Sequence, residues 1–143
     1  MLAFTADFET TTDPDDCRVW AFACCSIDAP DFFVYGNSIE EFMQWCEETG
    51  NCKLYFHNLA FDGSFIMDWA ERNGWKWVES QDDAGCRTYE TLISDMNQVY
   101  CITLQFYPWC RVKIYDSLKI IPLSIAAMSK AFGLPTAKVI FGR

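Results

Sequence analysis

With 143 residues, 51% hydrophobic and 17% aromatic, the chain can bury one substantial core and is expected to be a single folded domain, not a disordered segment. Its net charge of −9 excludes a simple nonspecific nucleic-acid binder, which would present a basic surface. The start of the chain has neither a basic stretch nor a long apolar run, so no secretory signal and no membrane span are expected, and the cytosol is the expected compartment.

The charge is unevenly spread: residues 1–110 carry 5 Lys or Arg against 19 Asp or Glu, whereas 111–143 carry 6 against Asp116 alone. The basic end suits a phosphate backbone or, more ordinarily, a solvated tail. The 8 cysteines include no Cys-x-x-Cys pair, and His57 is the only histidine, so a zinc site is not expected and buried, reduced thiols are.

Ala3 to Thr11 reads as the first strand. A period of two points Asp7 and Glu9 to one face and Phe4, Ala6 and Phe8 into a core. Carboxylates that close repel one another, which suits a cradle for a divalent cation, although Asp-x-Glu near a strand end also occurs by chance. A polar turn over Thr10 to Asp16 leads to a second strand, Val19 to Ile27, apolar on both faces and therefore expected to be central. Asp31 to Tyr35 is a third, and short turns make the three an antiparallel meander. Ser38 and Glu41 form a capping box for a helix whose Ile39, Phe42, Met43 and Cys46 recur at helical spacing until Gly50. Lys53 to His57 is then a fourth strand, parallel to the first, because a helical crossover separates them.

His57-Asn58-Leu59-Ala60-Phe61-Asp62-Gly63-Ser64-Phe65 is the second informative stretch. A helix is expected from Asp62 through Phe65, Ile66, Trp69 and Ala70, ended by Asn73-Gly74. Asp62 would be its N-cap, a catalytic acid, or both. Gly63 permits close approach of another backbone or a ligand, Asn58 can satisfy the turn through its side chain, and Phe61 and Phe65 read as plain core. Beyond lie a short strand over Trp75 to Glu79 and an acidic loop over Ser80 to Gly85. A hairpin of Thr88 to Ser94 with Gln98 to Tyr107 turns at Asp95 to Asn97, and Arg111 to Tyr115 is a last strand. A final helix starts near Pro122, shows Leu123, Ala126, Ala127 and Phe132, and closes at Gly133 with Pro135 beyond. The architecture is α/β, a mixed sheet flanked by helices.

Three segments, Asp7-Phe8-Glu9-Thr10-Thr11, His57-Asn58-Leu59-Ala60-Phe61-Asp62-Gly63 and Tyr115-Asp116-Ser117-Leu118-Lys119, resemble the N-terminal exonuclease domain of protein-primed family B DNA polymerases of the bacteriophage type. The resemblance extends to Asp16-Cys17-Arg18-Val19-Trp20-Ala21, Gly36-Asn37-Ser38 and Glu71-Arg72-Asn73-Gly74. It implies a ribonuclease-H-like fold and removal of mismatched 3′ nucleotides with two divalent metals, Mg²⁺ or Mn²⁺. Asp7 and Glu9 would hold the metals, and Asp62 would be the carboxylate of the second motif. Thr10, His57, Asn58, Phe61 and Phe65 would contact a single-stranded DNA 3′ end, with Ser117 and Leu118 as further contacts. Lys138 aligns with a lysine that assists the reaction, among residues that depart from the family. The family's third motif, Tyr-x-x-x-Asp, is not among these residues, and no carboxylate follows Asp116, so an incomplete two-metal site is expected.

Two functions follow from the resemblance. One is the proofreading part, residues 1–143, of a protein-primed polymerase in the host cytoplasm, with the remainder of the polymerase or a terminal protein as partner and no membrane. The other is an inactive binding protein that reuses the fold, either for single-stranded DNA or as an acidic decoy of a polymerase or host nuclease. A domain whose acids are solvated surface is disfavoured by three separate motif matches.

Overall fold

The first strand, β1 (Leu2–Thr10), buries Phe4, Ala6 and Phe8 on one face, as the alternation of the sequence requires. The computed structural model describes residues 2–93 and 99–117. β2 (Val19–Ser26) runs antiparallel to β1 and β3 (Phe33–Gly36) antiparallel to β2, which makes the expected meander. β2 lies one place from the sheet edge, however, not at its centre. Phe22 and Cys24 are buried while Trp20 is half exposed, so its apolar run covers one face more fully than the other.

Helix α1 (Ile39–Thr49) begins at the expected cap: Ser38 Oγ accepts from the Glu41 amide at 3.1 Å, and Glu41 Oε2 accepts from the Asn37 amide at 2.5 Å. Gly50, with φ of 78°, ends it. Ile39, Phe42, Met43 and Cys46 form its buried stripe. Phe42 meets Phe8 edge-on at 4.9 Å and Phe22 at 5.5 Å, and Phe8 meets Phe56 at 4.9 Å. Each such fully buried side chain contributes about 1.5–3 kcal/mol relative to exposure.

β4 (Cys52–Phe56) returns parallel to β1. Helix α2 (Leu59–Arg72) follows, then a two-residue strand β5 (Lys76–Trp77), shorter than the expected Trp75 to Glu79, and a 3-10 turn at Gln81–Asp83 within the acidic loop. β6 (Thr88–Ile93) and β7 (Val99–Tyr107) pair antiparallel, and β8 (Cys110–Asp116) pairs antiparallel to β7 and parallel to β4. The sheet order is β3-β2-β1-β4-β8-β7-β6-β5, a mixed sheet with parallel strands at its centre. Phe4, Leu54, Ile114 and Ile102 face one another across four strands under the helices and are all buried. The hairpin turn at 95–97 and the helix expected from residue 122 lie outside the described residues. Among the described residues no helix is long and apolar enough to cross a membrane.

The described cysteines are all free thiols, and Cys24, Cys46, Cys52 and Cys110 are buried. Burial, reinforced by neighbouring thiols, pushes Cys24 and Cys46 well above the ordinary thiol range and Cys52 up to about 12. A thiol reagent under native conditions is therefore expected to modify the exposed Cys17 and Cys86 first, and the four buried thiols only on unfolding. Peptide mapping after brief labelling checks this; prompt modification of Cys46 would contradict the packing.

Candidate functional site

Three parallel strands end at one level. β1 pairs with β4 as far as Ala6 opposite Phe56, and β4 with β8 as far as Phe56 opposite Asp116. β1 runs on to Thr10 against β2 alone, so Asp7 and Glu9 stand past its last β4 partner, on the side where His57 and Asn58 turn towards α2. The space beyond the carboxyl ends of such strands is where ligands commonly bind in α/β sheets.

Asp7 is 8% exposed and Glu9 is partly buried, on the face opposite Phe8. The register shifts between Glu9, opposite Ala21, and Thr10, opposite Val19, so the extra residue of this irregularity is Trp20 on β2.

The start of α2 departs from expectation. Asn58 adopts a left-handed conformation, φ 70° and ψ 63°, which Asn tolerates better than most residues, and it makes no side-chain cap. Its amide instead donates to Asp116 Oδ1 at 3.1 Å. That anchor lets the helix begin at Leu59, so Asp62 is not the N-cap but lies inside the first turn. Leu59, Asp62, Gly63, Ile66 and Ala70 form the buried stripe, and Asp62 is only 1% exposed. A carboxylate in a first turn is favoured by the positive end of the helix dipole. Gly63 is required by space: a Cβ would lie 2.9 Å from Ile102 Cδ1.

On the opposite side of the same turn Phe61 is 48% exposed, with its ring 5.5 Å from Phe65. Ser64 Oγ donates to the Phe61 carbonyl at 2.6 Å. His57 Nδ1 lies 3.1 Å from Ser117 Oγ, which donates to the Phe56 carbonyl at 3.1 Å. The fold thus joins His57 to Ser117, Asn58 to the residue before Ser117, and Phe61 to Phe65. Leu118 and Lys138 lie outside the described residues.

Oxygen donors such as Asp7 and Glu9 suit a hard divalent cation. Among the described residues, no three His, Cys, Asp or Glu side chains gather closely enough to hold one. The acids therefore fit such an ion in kind but do not by themselves complete a cage.

Asp116 is the residue whose role sequence reasoning missed. Its signal is present, since Val112, Ile114 and Asp116 occupy successive inward positions of β8, and an acid in that series is buried at 3% exposure.

Residues 46–142, more than half of the chain, match the family described as DNA polymerase type B, organellar and viral. The chain belongs to that family. It is 47% identical to the DNA polymerase of Bacillus phage M2 and 42% identical to that of Bacillus phage phi29, each over 139 residues and 94% of the chain. It spans 24% of the length of these relatives. Among solved structures, it superimposes on phi29 DNA polymerase complexed with single-stranded DNA with a TM-score of 0.88, at 40% identity, covering 96% of this chain and 24% of the other. The same polymerase with primer-template DNA and incoming nucleotide gives a TM-score of 0.87, again at 40% identity over 96% of this chain and 24% of that one. These matches bear out the resemblance to bacteriophage family B polymerases and the expected ribonuclease-H-like α/β architecture.

Two substitutions test the local architecture of this polymerase segment. Gly63→Ala, ordinarily stabilising in a helix by about 1 kcal/mol, is expected to destabilise by about 1–3 kcal/mol because of Ile102. Asp116→Ala is expected to cost about 1–3 kcal/mol by leaving the Asn58 amide without its acceptor, and Asp116→Asn less. Urea denaturation of the variants measures both; a stabilised Gly63→Ala chain would refute the stated packing.

Proposed function

We propose that this chain is the 3′–5′ exonuclease, or proofreading, domain of a protein-primed DNA polymerase of the viral type B family, a single domain over residues 1–143. One observation carries the proposal: Asp7 and Glu9 lie just past the last β1–β4 pair, and β4 leads directly into the turn and first helical turn that hold His57, the exposed Phe61 and the buried Asp62, with His57 paired to Ser117 at the end of β8. The relatedness to phi29 DNA polymerase, solved in complex with single-stranded DNA, supports the same substrate here.

In this function Asp7 and Glu9 hold Mg²⁺ or Mn²⁺, and Asp62 completes the acidic wall. The bound cation supplies a nucleophilic water and a stabilised leaving oxygen for phosphodiester hydrolysis. Phe61 offers a stacking face to a terminal base, with Phe65 supporting its ring. Thr10, His57, Asn58 and Leu118 hold the strand, Ser117 contributes to that hold through its contact with His57, and Lys138 neutralises phosphate charge. A further carboxylate is needed to complete the metal site, and the rest of a polymerase or a terminal protein would be the natural partner, in the cytoplasm of an infected cell.

A second function is favoured by two observations: no three-ligand cluster occurs among the described residues, and the chain is strongly acidic. It is an inactive binding domain that holds single-stranded DNA or competes for the basic groove of a polymerase or nuclease.

Titration with Mn²⁺ and a 3′-labelled single-stranded oligonucleotide separates them. Stepwise shortening is expected, reduced about a hundredfold or more in Asp7→Ala and in Asp62→Ala. Binding without shortening would select the second function, and mononucleotide release undiminished in Asp7→Ala would sink the assignment of the acids.

A further inference from the structure

The turn after β4 carries the only histidine of the chain, and its two ring nitrogens are treated differently. Nδ1 lies 3.1 Å from Ser117 Oγ, and Ser117 Oγ lies 3.1 Å from the Phe56 carbonyl oxygen. A carbonyl oxygen can only accept, so the second contact takes the one hydroxyl hydrogen of Ser117. The hydroxyl must then meet His57 through a lone pair, and Nδ1 carries the proton between them. A neutral ring protonated at Nδ1 leaves Nε2 as a bare acceptor. Nε2 is buried and makes no hydrogen bond to the described residues, an arrangement that costs stability.

We propose that Ser117 is a positioning residue: it clamps His57 in the Nδ1–H tautomer, so that Nε2 accepts a hydrogen bond from the terminal 3′-hydroxyl of a bound DNA strand. The chemistry of DNA selects that donor. Phosphates and the deoxyribose ring oxygen only accept. Base amines donate, but they differ from base to base, whereas the 3′-hydroxyl is common to every strand end. The imidazole as a whole is only partly buried. The identity of the donor rests on the exonuclease function proposed above; the tautomer does not.

Nitrogen-15 NMR of the full chain reads this tautomer directly, because no other histidine contributes a signal. Protonated Nδ1 and bare Nε2 are expected. Ser117→Ala is expected to move the ring to the Nε2–H form, and Ser117→Thr, which keeps the hydroxyl, to restore Nδ1–H. An Nε2–H ring in the unaltered chain overturns the proposal without reference to any variant. An oligonucleotide ending in a 3′-deoxy nucleotide is expected to bind about fivefold more weakly than one ending in a 3′-hydroxyl, and that difference is expected to vanish in Ser117→Ala. Equal binding by the unaltered chain overturns the hydroxyl as the donor. Failure of both oligonucleotides to bind, with Nδ1 protonated, refutes the nucleic-acid function and leaves the Ser117 clamp supported.

Discussion

The register of the three central parallel strands is the constraint on which the rest of the molecule depends. Ala6, Phe56 and Asp116 form one row across β1, β4 and β8. Because side chains alternate with a period of two, a slip of one residue in β8 would turn Asp116 away from the Asn58 amide and Ser117 away from His57. The row is held two residues back by Phe4, Leu54 and Ile114, all buried beneath the helices. An apolar slip there would expose this whole layer, so the polar geometry at the strand ends inherits its precision from the hydrophobic row behind it.

That arrangement explains why the site tolerates so many polar groups with so little exposure. Asp62 and Asp116 each occupy a position that the local periodicity assigns to the core, one in a helix stripe and one in a strand series. A polar group placed there costs stability unless the fold supplies it with interactions, as the Asn58 amide does for Asp116. Buried, inward-facing acids at one end of a sheet are the pattern expected of a functional site rather than of a surface. Among the described residues the other acids are mostly exposed, and two ion pairs there, Arg18 with Asp16 and Arg72 with Asp68, lie in solvent and contribute little.

The legibility of each element tracks the range of the interactions that define it. Helix α1 was readable to its cap because Ser38, Glu41 and the stripe from Ile39 to Cys46 interact within a few residues of one another. The alternation of β1 placed Asp7 and Glu9 on one face for the same reason. Helix α2 was read as starting three residues late, since the group that allows it to begin at Leu59 is a carboxylate 58 residues away in sequence. The run of apolar residues in β2 suggested a central strand, yet β3 is its outer neighbour and Trp20 remains half exposed. No periodicity distinguishes a strand buried on both faces from one whose second face is merely apolar.

The sequence by itself determined the α/β class, the two acids of β1, the membership of His57, Asn58 and Asp62 in one turn-and-helix unit, and the likeness to viral type B polymerases. All but the last are properties of local spacing and residue type, for which short-range physics suffices; the likeness rests on the resemblance of whole motifs to a known family. Only the tertiary structure decided that Asp116 anchors Asn58 and that Ser117 reaches His57. It also decided that Asp62 faces inward while Phe61 faces out. Those facts join residues some 60 positions apart, and the ladder between β4 and β8, which no local pattern encodes, is what brings them together.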